Sequence, residues 1–329
     1  MVKQAQASLI TPEELARGRH FKACVISFFD GMLDLHLALL DHATGLAQGD
    51  ASEVLVILCA YDRQHSANTP LSAVLLSPDE RGQMLLDMGY PHIMHLSVNP
   101  NHHTHDNLPL PADSELLVKH CDVLIPGADT RVAPGFPELF NALEEKSKAH
   151  QTRVERTFFN ETLGSHQAQV DLVAGGRVAD FMKNQGYAFP VSGYVVKGNM
   201  IGHTLGYPTA NLRVADYLKL LPAQGVYVGM VKVADQWHQA MINIGIRPTL
   251  DMDNVTIEAH LFGFEEDIYG EWISISFLER IRDEMRFSSL GELKLQLDKD
   301  KDRAREVLAT CLENTTANAF VYREPIRWS

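Results

Sequence analysis

Cysteine is scarce in this sequence and never paired. The 329 residues contain four cysteines and no CxxC motif; the four are Cys24, Cys59, Cys121 and Cys311. Scattered cysteines of this kind argue against a disulfide framework and against a zinc knuckle. We expect reduced, buried thiols in a protein of the cytoplasm.

An excess of basic charge and a long hydrophobic run are also missing. Lys and Arg total 29 against 42 Asp and Glu, a net charge of −13, whereas general nucleic-acid binders carry a basic field. Apolar runs such as residues 54–61 are far shorter than the roughly 20 residues of a membrane helix. The N-terminus lacks the apolar core of a secretory signal. We therefore expect neither nucleic acid nor a membrane as a partner.

The chain is long enough for about two domains, at roughly 100–200 residues each. Residues 23–160 alternate short apolar strands with helical stretches, which indicates a doubly wound α/β domain. From Pro190 onward, short strands follow one another between Gly and Pro, a pattern typical of an antiparallel sheet or small barrel. A capping box at Ser289 and Glu292 opens a closing amphipathic helix. Its predicted buried stripe is Leu290, Leu293, Leu297, Ala304, Val307 and Leu308. We predict domains over residues 1–185 and 186–329.

A glycine-spaced loop lies early in the second domain. Gly198, Gly202 and Gly206 precede the run Pro208-Thr209-Ala210-Asn211. Glycine lets a backbone approach phosphate closely, although an ordinary turn would also explain these residues. Thr209 and Asn211 are two apart on an extended segment, so their oxygens face one side, as a small metal site requires.

This stretch closely resembles the signature of riboflavin kinases. Further family motifs follow in order at 221–229, 243–250, 255–270 and 280–293, so the resemblance covers about residues 186–310. It implies a six-stranded antiparallel barrel with a C-terminal helix, which transfers the γ-phosphoryl group of ATP to the 5′-hydroxyl of riboflavin and yields FMN. Thr209 and Asn211 would hold Mg²⁺. The ATP-binding residues would be Gly198, Gly202, His203, Gly206, Pro208, Thr209 and Asn211.

The resemblance also implies a general base, Glu258. Along 255–261, apolar residues alternate with Thr256, Glu258 and His260, so the carboxylate faces away from the core. The last motif of the family, R-x-E-x-x-F, makes Arg282, Glu284 and Phe287 candidates for contact with the flavin. His203 stands where the family commonly has Arg, which predicts weaker phosphate binding. No GxxxxGK[ST] motif is present, so a P-loop kinase is excluded.

In bacteria this family usually carries an N-terminal, nucleotidyltransferase-like FMN adenylyltransferase domain of Rossmann-like fold, and residues 24–40 resemble its opening. Asp30 keeps the Phe-Asp-Gly turn, but the HxGH motif falls on 33–36 and only His36 remains. Two arginines of a later motif fall on Gln167 and Gln169, which cannot neutralise a polyphosphate. Asp62, with His65, is interpreted as a remnant. We expect a degenerate adenylyl site and a separate FMN adenylyltransferase in the same cell.

Two alternatives remain open at this stage. One is a bifunctional FAD synthetase whose adenylyl site tolerates these residues; the other is a flavin- or nucleotide-binding regulator without catalysis. A histidine cluster could bind a metal, but its polar loop setting indicates incidental histidines. The cluster comprises His92, His95, His102, His103 and His105.

Overall fold

The computed structural model describes residues 10–61, 73–98, 114–127, 136–155, 163–198, 201–248 and 253–314. The chain divides between His166 and Gln167 into two compact units. No helix within these ranges is long and apolar enough to cross a membrane.

The first unit is built on a five-stranded parallel sheet with the strand order β3-β2-β1-β4-β5. The strands are β1 (Phe21–Ser27), β2 (Val54–Tyr61), β3 (Ile93–Val98), β4 (Cys121–Pro126) and β5 (Arg153–Val154). The helices are α1 (Pro12–Ala16), α2 (Asp34–Leu46), α3 (Pro78–Asp87), α4 (Ser114–Lys119) and α5 (Phe136–His150). This confirms the doubly wound prediction. The strand order reverses beside β1, and ligand sites of such sheets lie beyond the carboxyl ends of the strands at that point.

The predicted burial of the cysteines is confirmed for the three cysteines of this sheet. Cys24, Cys59 and Cys121 are buried in the apolar core, whereas Cys311, in the second unit, is half-buried. Burial raises the pKa of the Cys24 thiol, so this thiol stays protonated.

The second unit contains a closed six-stranded barrel, as predicted. Its strands follow the order β10-β7-β6-β11-β8-β9. They are β6 (Phe189–Val196), β7 (Ala210–Val214), β8 (Gly225–Val233), β9 (Gln236–Pro248), β10 (Asp253–Leu261) and β11 (Trp272–Arg282). The helices are α6 (Leu163–Ala174), which spans the division between the units, α7 (Val178–Gln185), the single turn α8 (Ile201–Thr204) and α9 (Leu290–Asn314). Helix α7 packs against β6 and β11, so it belongs to this unit although it precedes the barrel strands.

Helix α9 covers part of the outer barrel surface. Ala304, Val307 and Leu308 are buried against an apolar cluster that includes Val228 and Leu278. The predicted stripe is wrong at Leu290, which is 59% exposed, because the packed part of the helix begins farther along. At its start, the Ser289 hydroxyl accepts from the backbone N–H of Glu292, and the Glu292 carboxylate accepts from Ser288.

Candidate functional site

Four neighbouring barrel strands place one residue each in a single row. Glu258 on β10 lies opposite Asn211 on β7 and opposite Asn243 on β9, and Asn243 in turn lies opposite Val226 on β8. Residues directly opposite each other in antiparallel strands project to the same face. The row therefore presents two amides around one carboxylate, while Ile257 and Ala259, which precede and follow Glu258 on β10, are buried.

A cavity of about 300 Å³ lies in front of this row. Its lining combines polar residues, among them Thr209, Asn243 and Glu258, with the apolar residues Met285, Phe287, Leu293 and Leu297. Pockets that bind small molecules typically combine apolar side chains with a few placed polar groups. The cavity therefore suits a ligand that has both an apolar part and a polar part.

The structure brings Thr209, Asn211 and Glu258 together. The Thr209 hydroxyl donates to Glu258 Oε2 over 3.4 Å. Asn211 is buried beside Gly198, where a Cβ atom would lie 2.3 Å from Asn211 Nδ2. A hydroxyl, an amide and a carboxylate are the hard oxygen donors that suit Mg²⁺, so this set fits such a cation.

The glycine loop is a tight turn that leads into Thr209. The carbonyl of Gly202 accepts from the backbone N–H groups of Leu205 and Tyr207, at 3.1 and 2.8 Å. A Cβ atom on Gly202 would lie 2.2 Å from the Tyr207 carbonyl oxygen, and Gly206 has a φ of +79°. Gly202 and Thr209 line the cavity.

The remaining two predicted loop residues have exposed side chains. His203 lies in the turn α8, and Pro208 directly precedes Thr209. Their contact with ATP stays a prediction.

The three flavin-side candidates also line the cavity. Arg282 has a further role, because its Nε lies 3.0 and 2.9 Å from the two carboxylate oxygens of Asp300, a residue of α9 that is 3% exposed. The Glu284 carboxylate rests against Gly245, where a Cβ atom would lie 2.1 Å from Oε1. Phe287 is half-buried.

The cavity residues that the sequence analysis did not single out include Tyr207, Asn243 and His260. The Tyr207 hydroxyl donates to Asp298 Oδ1 of α9 over 2.6 Å, and burial together with that carboxylate raises the pKa of Tyr207 well above its usual value. His260 Nδ1 bonds the Pro208 carbonyl at 2.8 Å. His260 shares the face of Glu258 in the alternating pattern, so that pattern could have identified it; no sequence signal pairs Tyr207 with Asp298.

In the first unit, Asp30 follows β1 at the carboxyl edge of the sheet and is held by internal donors. Its carboxylate accepts from the backbone N–H groups of Leu75 and Leu76, at 3.2 and 2.8 Å, and lies 2.8 Å from His166 Nε2. Burial alone would raise the pKa of Asp30, but the His166 hydrogen bond and the charge of Arg81 bring it below its usual value. His166 is the neighbour of the candidate residue Gln167 in the sequence, but the sequence analysis did not name His166 itself as a site residue.

Residues 33–36, where the HxGH motif was expected, form the start of α2. His36 is buried, and its Nδ1 accepts from the backbone N–H of Leu33 at 3.0 Å. Leu33 and Leu35 are 3% and 5% exposed, and a Cβ atom on Gly31 would lie 3.3 Å from Leu33 Cδ2. Leucine side chains therefore fill the space beside this helix N-terminus.

Other predicted remnants differ in their surroundings. Gln167 is exposed and donates to Asp171 at 2.9 Å, whereas Gln169 is buried. Asp62 and His65 lie outside the described residues, as do His102, His103 and His105. Among the residues that can be described, including His92 and His95, no group of three or more His, Cys, Asp or Glu could hold a metal.

Comparison with known proteins agrees with the barrel and its motifs. The family model "Flavokinase: Riboflavin kinase" matches residues 185–308. Over 121 residues, 36% of the chain, it is 36% identical to a bifunctional riboflavin kinase/FMN adenylyltransferase of Haemophilus influenzae. Over 199 residues, 59% of the chain, it is 34% identical to the protein of that name from Escherichia coli K12. These matches span 39% and 63% of the two relatives.

A solved structure extends the likeness to both units. The crystal structure described as a macrolide-efflux protein from Streptococcus pneumoniae aligns over 91% of this chain and 96% of its own, with a TM-score of 0.65 and 25% identity. The family model matches the barrel and most of α9, so residues 185–308 are similar to riboflavin kinases.

Proposed function

We propose that the second unit transfers the γ-phosphoryl group of ATP to the 5′-hydroxyl of riboflavin and releases FMN and ADP. The observation that carries this proposal is the Glu258 carboxylate, which lies beside Thr209 and opposite Asn211 and lines a cavity that also has apolar lining residues. The apolar residues suit the flavin ring, and the polar residues suit the ribityl hydroxyl and the phosphates.

The chemistry follows from these positions. Glu258 accepts the proton of the riboflavin hydroxyl as that oxygen forms its bond to the γ-phosphorus and the bond from phosphorus to the ADP oxygen breaks. Thr209 and Asn211 are the residues that would hold Mg²⁺, which when bound neutralises phosphate charge. Phosphoryl transfer relies mainly on positioning and charge stabilisation, so the rigid barrel strands that carry these residues suit the reaction.

For the first unit, we infer that FMN adenylyltransferase activity has been lost. Leu33 and Leu35 are buried where an HxGH motif would present histidine and glycine to a triphosphate, and helix N-termini bind phosphate only where the backbone is approachable. A separate FMN adenylyltransferase would then supply FAD in the same cytoplasm. The names of the bifunctional relatives favour the alternative in which this unit also makes FAD.

A chromatographic time course with riboflavin, ATP and Mg²⁺ tests both statements. We expect FMN to accumulate without FAD, and Glu258→Gln to lower kcat by about 10²–10⁴-fold, the usual contribution of a general base. Glu271→Gln, at an exposed residue outside the cavity wall, is the matched control and should keep wild-type kcat. FAD in proportion to enzyme would establish the bifunctional alternative, and the absence of both products would leave the regulator.

A further inference from the structure

The hydrogen-bonded ladder between β7 and β10 stops just short of Thr209. Its last pair is Ala210 with Ala259. Pro208 has no N–H group and cannot extend a ladder. Its carbonyl oxygen instead accepts a hydrogen bond from His260 Nδ1, at 2.8 Å. A side chain thus fixes the backbone where the strand pairing ends.

The state of the His260 ring follows from this contact. A carbonyl oxygen can only accept, so Nδ1 carries the proton. The ring is 7% exposed and meets the rings of Tyr207 and Phe262 at tilted angles, with centroids 5.0 and 5.6 Å away. Its orientation is therefore set from two sides.

We propose that His260 is a positioning residue of the kinase reaction, which holds the Thr209 hydroxyl in place through the Pro208 carbonyl. Thr209 follows Pro208 directly, and its hydroxyl lies 3.4 Å from Glu258 Oε2. A shift of the Pro208 peptide moves that hydroxyl relative to the carboxylate. Displacement of a reacting group by about 1 Å can cost about 10²-fold in rate. This inference rests on the proposed function of the second unit.

Two substitutions of the same branched shape isolate the hydrogen bond. His260→Asn retains an N–H donor at the position of Nδ1, whereas His260→Leu has none. We expect His260→Leu to lower kcat by about 10²-fold and to weaken Mg²⁺-dependent binding of a non-hydrolysable ATP analogue, measured by calorimetry, by about 3–10-fold, the loss of one hydrogen bond. His260→Asn should recover most of the kcat and most of the nucleotide affinity. The half-saturating Mg²⁺ concentration should rise only in His260→Leu.

The melting temperature of each variant separates positioning from packing. If both variants lose activity equally and melt lower in parallel, His260 serves packing and the proposal is overturned. Unchanged kcat and nucleotide affinity in His260→Leu would overturn it as well. If the wild type forms no FMN but the difference in nucleotide affinity between the two variants persists, the positioning of Thr209 stands and the kinase function falls.

Discussion

At the scale of single residues, the polar row of the barrel depends on a missing side chain. Asn211 occupies space that any side chain at position 198 would need, since a Cβ atom there would lie 2.3 to 2.5 Å from three atoms of the Asn211 amide. Contacts this short force one of the two groups to move. Gly198 is therefore required by the placement of Asn211, in addition to any approach of phosphate.

Gly198→Ala tests this requirement. We expect the displaced amide to lower kcat by about 10²-fold and to raise the Mg²⁺ concentration needed for half-maximal rate. Gly45→Ala in α2 is the matched control, because a Cβ atom there meets nothing within 4 Å; it should leave kcat unchanged and add stability through helix propensity. Wild-type kinetics in Gly198→Ala would show that Asn211 is not needed at its observed position.

Asp30 gives the first unit an acid-sensitive contact. Its pKa in the folded chain lies below the usual 3.8, so the unfolded state binds a proton more readily. The stabilisation is fully present above about pH 4 and is lost as pH falls through the folded pKa. We expect Asp30→Asn to lower the free energy of unfolding at pH 7 and to narrow that difference toward pH 3. Urea titrations of both proteins at pH 7 and pH 3 measure these free energies of unfolding. A difference between wild type and Asp30→Asn that is larger at pH 3 would contradict the lowered pKa of Asp30.

At the scale of elements, α9 is attached to the barrel by a buried ion pair. The Arg282 side chain is 17% exposed and that of Asp300 4%, with an Nη2 to Oδ2 distance of 2.7 Å. Gln296 also donates to Asp300, at 2.8 Å. Because the same helix supplies Leu293 and Leu297 to the cavity, this attachment positions one wall of the site.

We expect Arg282→Met to cost about 3–5 kcal/mol of stability, the usual result of leaving one buried partner unpaired. Adding Asp300→Leu should restore most of the loss, since it removes the uncompensated charge. Arg303→Met is the control, because the Arg303 pairs with Glu279 and Glu306 are exposed and exposed pairs contribute less than about 1 kcal/mol. Equal destabilisation by Arg282→Met and Arg303→Met would argue against the anchoring role.

At the scale of the whole molecule, the two units carry different spectroscopic reporters. Residues 1–166 contain no tryptophan, whereas Trp237 and Trp272 lie on barrel strands β9 and β11. Tryptophan emission therefore follows the second unit, and far-ultraviolet circular dichroism follows both.

Nucleotide should stabilise the unit that binds it. With Mg²⁺ and a non-hydrolysable ATP analogue at about 100 times its dissociation constant, stabilisation is about 2.7 kcal/mol. We expect nucleotide to raise the midpoint temperature of the unfolding transition that tryptophan emission reports. Any separate transition seen only by circular dichroism should keep its midpoint temperature. A nucleotide-dependent shift confined to circular dichroism would place binding in the first unit.

Local sequence signals predicted local features of the site. The alternation around Glu258 and the two-residue spacing of Thr209 and Asn211 predicted the faces that these side chains take, because strand periodicity acts over a few residues. The resemblance to riboflavin kinases implied the six-stranded barrel and a site shared by these three residues. The Asp30–His166 contact joins positions 136 apart, and Tyr207 reaches Asp298 across 91. Neither pair has a local pattern, since packing of distant elements decides it.

The leucines at the start of α2 also limit how this chain can evolve. Removing a buried leucine side chain costs about 2–5 kcal/mol, against a total stability of about 5–15 kcal/mol for a typical domain. Leu33 and Leu35 are both buried, so replacing either one alone with the residue of an HxGH motif would lower stability before any catalytic benefit arose. Selection for folding therefore favours leucine at both positions, and an HxGH motif at 33–36 would need compensating changes in the surrounding core first.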